Sequence, residues 1–421
     1  MRLARDLNYF SVTMAALPIR AAATRTVTSV KAKIRKMVLA LAPQLQRIVA
    51  ERDQLLAASV AERSDWTKHR PFVTLNVEPA IGAGTSADDK RIVERLLQAY
   101  RQAPADQYGA GSMWRDFFDT HHKSIHETFM SGDVNAARGI LSNPAASNLF
   151  YGFDELCAAF VSKYHNERLA VASGCKDNLL RLAEAIGAYR IECSEHGPWL
   201  ANARTPTDEV LQAIESALGA QVSFPDIYAG AVGDRSSRGI VTYRAVQALY
   251  LAFRVRQVVQ SGSEASVPAV CEIGAGLGRT ALYASQLGIR NYTLVDVPMT
   301  LISQGYFLMR CLGEDAVVLP GETRRGPGQI RLMHPGDFFV STQRFDLVAN
   351  VDSLTEMGEG LPARYLKKIA EVSPAFLSIN HECNPGRLSE LLGSFGGHHA
   401  LSRYPYWMRH GYVEELVRFR S

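Results

Sequence analysis

The sequence predicts an α/β protein: a mainly α-helical N-terminal domain followed by a doubly wound sheet of seven strands. Three observations predict it. Apolar residues keep helical spacing through residues 112–220. From Val267 onward they give way to short apolar runs separated by helical stretches, the alternation that builds parallel strand–helix–strand units. The first run, Val267 to Ile273, breaks into Gly274-Ala275-Gly276-Leu277-Gly278, and glycines there let the chain turn sharply and leave bare N–H groups at a helix N-terminus. Several later runs end in polar side chains, and in a doubly wound sheet ligands sit beyond the carboxyl ends of the strands.

Composition narrows the class. With 421 residues, 47% of them hydrophobic and 21% charged, the chain can bury a core in two or three compact units. It contains no run long and apolar enough for a transmembrane helix. The six cysteines are scattered without a C-x-x-C pair, as expected of reduced thiols in a cytoplasmic protein. Residues 1–50 carry nine Lys/Arg against one Asp, while the whole chain has a net charge of +4. That basic arm has no interleaved aromatics, so neither nucleic acid nor a membrane is an expected partner.

The elements follow in order. Residues 1–70 read as a basic arm and an amphipathic helix (Val30 to about Leu56) whose apolar stripe suggests a homodimer. Residues 71–88 read as a linker, and a helix follows from about Lys90 to Tyr100. Helices are then expected over Met113 to Ser131, Asp133 to Leu141, Asp154 to Val171, Asp177 to Ala185 and Thr207 to Leu218, giving residues 71–220 the role of a helical cover on the acceptor pocket. Residues 221–262 read as a polar, glycine-rich loop and a connecting helix (Tyr243 to Gln260). In that stretch Tyr228, Arg235, Arg238, Tyr243 and Arg244 are candidates for binding an acceptor substrate. Residues 263–421 form the sheet domain, with helices at Met299 to Leu312 and 362–371. Its later strands are Ile330 to Met333, Phe345 to Val351, Ala375 to Ile379 and Tyr412 to Phe419, the last as a reversed edge strand.

The glycine turn departs from a dinucleotide fingerprint, because its third glycine comes one residue early. Glu272 precedes the first glycine by two residues. A carboxylate there sits poorly beside a pyrophosphate but suits the cationic amino group of S-adenosylmethionine (SAM). Asp296, at the end of the next strand and followed by Val297, can accept hydrogen bonds from a ribose diol. The E-x-G-x-G-x-G pattern of Glu272, Gly274, Gly276 and Gly278, with Asp296 beyond, resembles the first two motifs of Rossmann-like SAM-dependent methyltransferases. In that frame Asp337, with Phe338, is placed to meet the adenine, and Asn350 to finish the pocket.

Three segments together resemble one family, the sugar O-methyltransferases: VDVPMTLISQGYFLMRCLGED (295–315), FDLVANVDSLTEM (345–357) and FLSINHE (376–382). RGIVTYRAVQALY (238–250) and WRDFFDTHHKSIHETF through YGFDEL (114–156) add to the likeness, which spans about residues 112–421. The resemblance implies methyl transfer from SAM, leaving S-adenosylhomocysteine (SAH), to a small polar acceptor. A sugar hydroxyl is a poor acid, so a base or a metal is expected. His381 is the candidate general base, oriented by Glu382 or Asp352, with Ser353, Glu356 and Asn380 toward the acceptor. Alternatively Asp352, Asn380 and Glu382 would offer oxygen ligands to Mg²⁺. His121, His122 and His126 lack a zinc-protease pattern and read as packing residues. Competing functions are N-methylation of an amine, a nicotinamide-dependent oxidoreductase, and a binding protein that has lost its chemistry.

Overall fold

The computed structural model describes residues 36, 48, 50–52, 76–104, 112–192, 202–262, 265–326, 328–358, 360–383, 386–395 and 399–419. The chain divides into two compact units, residues 1–68 and 69–421. In the first, Lys36, Ile48, Ala50, Glu51 and Arg52 are helical. The basic arm and most of the amphipathic stretch lie outside the described residues.

The second unit begins with strand β1 (Pro79–Ala83) and helix α1 (Lys90–Arg101), which buries Ile92, Val93, Leu96, Leu97 and Tyr100 along one stripe. Helices α2 (Met113–Phe117) and α3 (Lys123–Ser131) join through a π turn (Phe118–His122). Helix α4 (Val134–Ser142) starts at Asp133, whose carboxylate accepts from the N–H groups of Asn135 and Ala136 and so satisfies two otherwise orphaned donors. Where one helix was expected from Asp154 to Val171, turns run to residue 160 and α5 (Val161–Asn166) and α6 (Arg168–Ala185) follow. Helix α7 (Thr207–Leu218) closes on Gly219 with φ +64°, a left-handed cap.

Two stretches expected as linker and loop are strands. β1 pairs antiparallel with β2 (Ala229–Ser236), which pairs with β3 (Gly239–Val241). The helical portion therefore carries a small three-stranded sheet. The glycines that suggest a loop serve close approach instead: a Cβ at Gly233 would lie 2.2 Å from the Val241 carbonyl oxygen, a recognised use of glycine inside a strand.

Helix α8 (Tyr243–Gly262) leads into the large sheet. Its elements are β4 (Ala269–Ile273), α9 (Arg279–Gln286), β5 (Asn291–Val295), α10 (Pro298–Leu312), β6 (Val317–Val318), β7 (Ile330–Met333), α11 (Pro335–Val340), β8 (Leu347–Val351), α12 (Leu361–Val372), β9 (Ala375–His381), α13 (Leu388–Ser394), β10 (His399–Pro405) and β11 (Tyr412–Phe419). Eight strands lie in the order β10-β11-β9-β8-β4-β5-β7-β6, one more than expected, and the two edge strands β6 and β10 are those that the sequence pattern did not suggest. All pairings from β9 to β6 are parallel, whereas β11 runs antiparallel to both β9 and β10. The reversed strand is thus inserted beside β9 rather than placed at the edge.

Period-two alternation assigns the faces. Val270, Leu294, Leu347, Ala349 and Leu377 enter the core shared with α8, α9, α10 and the N-terminal helices. Cys271, Val295, Val348 and Phe376 enter the core under α11, α12 and α13. The strand order reverses between β4 and β8, so a crevice opens beyond their carboxyl ends. No helix among the described residues is long and apolar enough to cross a membrane.

Candidate active site

A cavity of about 470 Å³ fills that crevice, within the usual size of small-molecule sites. Its floor is the turn after β4. Gly274, Gly276 and Gly278 all have positive φ, between +55° and +81°. A Cβ on Gly274 would come 2.0 Å from the Ser353 hydroxyl, whereas one on Gly276 would meet nothing closer than 3.9 Å. The first glycine is required for packing against the end of β8, and the second leaves open backbone facing the cavity. Gly278 forms the N-cap of α9 and packs on Leu294 and Leu308, away from the cavity.

Two carboxylates line this end. Glu272, almost completely buried, accepts a hydrogen bond from the Tyr292 hydroxyl at 3.0 Å. Burial pushes its carboxyl up to about 8, against the hydrogen bonds of Tyr292 and Thr280. Asp296 accepts from the Val297 N–H and from Gln304 Nε2, each at 2.9 Å, and burial pushes it up to about 7. Among the described residues neither carboxylate forms an ion pair. Gln304 Nε2 also donates to the Gly276 carbonyl at 2.9 Å, so one amide on α10 fixes the glycine turn to Asp296.

The opposite wall is charged differently. Asp352, just past β8, lines the cavity with φ +58°, a left-handed conformation that non-glycine residues adopt at a cost and chiefly at functional positions. Its carboxylate accepts from Arg409 Nη1 at 2.6 Å and from the Tyr412 hydroxyl at 2.7 Å, with Arg244 Nη1 at 4.0 Å. Burial alone would raise this carboxyl, but the guanidinium groups of Arg409 and Arg244 and the Tyr412 hydrogen bond hold it below the usual range. Behind it His381 Nε2 stands 3.5 Å from Glu356 and 4.0 Å from Asp352, and His381 Nδ1 is 2.8 Å from the Cys383 sulfur. Burial raises the Glu356 carboxyl, opposed by the His381 hydrogen bond.

Glu272, Gly274, Gly276, Asp296, Val297, Arg244, Asp352 and Ser353 thus surround one cavity. The other candidates lie elsewhere. Asn350 and Asn380 are buried off the cavity: Asn350 donates to the Ile273 carbonyl at 2.8 Å and accepts from Asn380 at 2.8 Å, and the Asn380 oxygen accepts the Ser353 N–H at 3.2 Å. They staple the ends of β4, β8 and β9 together. Glu382 turns away to Arg403 on β10, 2.8 Å distant. Of the three proposed Mg²⁺ ligands, therefore, Asp352 alone belongs to the acidic cluster with Glu356 and His381. Phe338 packs on Tyr365 in the core, and Pro335, Gly336 and Phe339 line the cavity in place of Asp337 and Phe338. Tyr228 is buried against Phe150, Tyr306 and Phe307. Arg235 pairs with Glu78, and Arg238 with Asp208 and Glu215. Tyr243 is not on the cavity wall. Among the N-terminal histidines, His121 stacks on Tyr151, His122 meets the Asn148 carbonyl, and His126 meets the Tyr100 hydroxyl.

Several lining residues were not singled out from sequence: Trp114 and Phe153 of the N-terminal portion, Gln247 on α8, and Arg364 and Tyr365 on α12. Arg279, directly after the third glycine, forms a buried ion pair with Asp154 and ties the 150–156 turn to the glycine loop. The segments containing Trp114, Phe153 and Gln247 carry part of the family likeness, which was the available signal.

No family known from sequence matches the chain, and no curated protein matches it. Similar solved structures include magnesium protoporphyrin IX methyltransferase from Synechocystis PCC 6803 with bound SAM, at 15% identity over 42% of this chain and 85% of that one, TM-score 0.30. A methyltransferase from Streptomyces caelestis is similar at 13% identity over 42% and 90%, TM-score 0.31. An O-methyltransferase family protein from Burkholderia thailandensis is similar at 12% identity over 42% and 60%, TM-score 0.29.

Proposed function

We propose that the chain is a cytoplasmic SAM-dependent methyltransferase of Rossmann-like architecture, acting on a hydroxyl of a sugar or similar small polar natural product. The observation that carries this is the pair Glu272 and Asp296: one buried and one half-buried carboxylate on the wall of one cavity, with hydrogen-bond donors but no ion-pair partner among the described residues. Buried carboxylates are normally paired, and a ligand bringing an ammonium group and a ribose diol would supply what is missing. The open backbone at Gly276 fits the same ligand. Glu272 would take the amino group, Asp296 the ribose hydroxyls, and Phe339 and Tyr365 the adenine. A pyrophosphate beside Glu272 would meet a like charge, which disfavours a nicotinamide cofactor.

SAM, when bound, supplies an electrophilic methyl group for in-line displacement by an acceptor oxygen. The chain's own contribution is alignment and proton removal. Asp352, held ionised by Arg409 and Arg244, accepts the hydrogen bond of the acceptor hydroxyl and orients it. As the oxygen–methyl bond forms, Asp352 would receive the hydroxyl proton and pass it to His381 Nε2, 4.0 Å behind it. Alignment of this kind lowers a barrier by roughly 7–11 kcal/mol, and a positioned base adds a factor of about 10²–10⁴. Because two guanidinium groups already balance Asp352, the Asp352–Glu356–His381 cluster offers little uncompensated negative charge to a divalent ion, and the proposal needs none.

Incubating the protein with methyl-labelled SAM and a mixture of glycosides and amino sugars tests this. NMR of the products should place the label on oxygen. Label on nitrogen would shift the assignment to N-methylation, and absence of transfer to every acceptor would count against the enzyme reading.

A further inference from the structure

Arg279 carries a charge that its position disfavours. It is the first residue of α9, directly after Gly278, and it lines the cavity. A cation there faces the positive end of the helix dipole. The methyl donor proposed for this cavity brings a further cation, because its sulfur is a sulfonium, and a bare guanidinium on the same wall would repel it. The other two arginines on the wall are set differently. Arg244 lies between Glu155 and Asp352. Arg364 is exposed to solvent, where screening is strong, and rests over the Phe339 ring. Arg279 is half-buried.

Its counter-charge comes from the N-terminal portion. Arg279 Nη1 donates to Asp154 Oδ2, and Asp154 is buried. The other oxygen of that carboxylate accepts the Leu156 N–H at 3.0 Å, so the side chain that reaches Arg279 also shapes its own turn. The turn has little freedom. Gly152 has φ +96°, and a Cβ there would come 2.7 Å from a ring carbon of Phe117. Gly152 and Phe153 line the cavity, and the Phe153 carbonyl oxygen stands 3.9 Å from where a Cβ on Gly276 would be. The pair therefore sits beside the glycine turn. The neighbouring Glu155 lies 3.4 Å from Arg244 Nε, which leaves Asp154 as the direct ion-pair partner of Arg279 among the described residues.

We propose that Asp154 determines specificity for the methyl donor: by neutralising Arg279 it lets the cavity accept the sulfonium of SAM, and without it the site favours SAH, whose sulfur is uncharged. The proposal rests on the SAM reading above. Calorimetric titrations of SAM and of SAH into wild type, Asp154→Asn, Arg279→Gln and the double variant test it. Asp154→Asn should weaken SAM binding about tenfold or more while changing SAH binding by no more than about threefold. The deficit should shrink in about 0.5 M salt. Adding Arg279→Gln should restore SAM affinity to within about threefold of wild type, because no bare cation remains on that wall. Retained SAH binding reports that each variant is folded. Equal loss of both ligands in Asp154→Asn would make the pair a structural latch. A double variant as weak toward SAM as Asp154→Asn alone would exclude charge as the cause. Equal loss of both ligands in Arg279→Gln would mean that Arg279 holds the carboxylate that SAM and SAH share. Any of these three results overturns the proposal. Binding of neither ligand by folded wild type would instead remove the SAM reading, and the role of Asp154 with it.

Discussion

The two ends of the cavity use the same side chain in opposite ways. At the glycine-turn end Glu272 and Asp296 face neutral donors, and desolvation pushes their carboxyls up to about 8 and about 7. At the other end desolvation would raise the half-buried Asp352 in the same way, yet two guanidinium groups hold its carboxyl below the usual range. The first end is incomplete without a cationic ligand. The second carries its counter-charges within the chain. A carboxylate's role is therefore set by what already faces it.

The comparison breaks hardest at Arg409. Arg409→Met takes from Asp352 its nearest counter-charge, leaving Arg244 at 4.0 Å and the Tyr412 hydrogen bond, and should cost about 1.5–3 kcal/mol in urea unfolding. Glu272→Gln, which replaces a carboxyl that already holds a proton near pH 7, should change stability by no more than about 1 kcal/mol. Equal losses in the two variants would erase the distinction. Next in size, His381→Asn should slow methyl transfer by about 10² or more while leaving SAH affinity unchanged; an unchanged rate would leave proton removal to another group.

The smallest effect is in pH. The carboxyl of Glu272 titrates near 8 in the folded chain and at 4.5 ordinarily. Between those values the folded state holds a proton that the unfolded state has released, so this group makes stability fall as pH rises. Asp352 acts the other way: its contribution is present above the ordinary value of 3.8 and is lost as pH falls below it. Denaturation curves from pH 5 to 8 should therefore flatten in Glu272→Gln. SAH binding near pH 7 should release protons, visible as buffer-dependent heats in calorimetry.

The glycine-turn end was legible because it is local: a strand, three glycines and a carboxylate at fixed spacing determine their own geometry. The acceptor end was less so. Asn350 and Asn380 do stand at strand ends, but their amides are used to fasten the strands. Glu382 follows His381 by one residue and so turns the other way, toward an Arg403 on β10, a strand that sequence alone did not suggest. Arg235 and Arg238 found partners on Glu78, Asp208 and Glu215, long-range pairings that no local pattern encodes. Arg409, which decides the character of Asp352, lies 57 residues away in sequence.

The most direct measurement is a calorimetric titration of SAH into wild type and Asp296→Ala. Micromolar binding that weakens tenfold or more in the variant, about 1.4 kcal/mol, is what loss of a ribose contact predicts. Absence of binding to folded wild-type protein, or equal affinity in both, would contradict the assignment of this cavity to SAM.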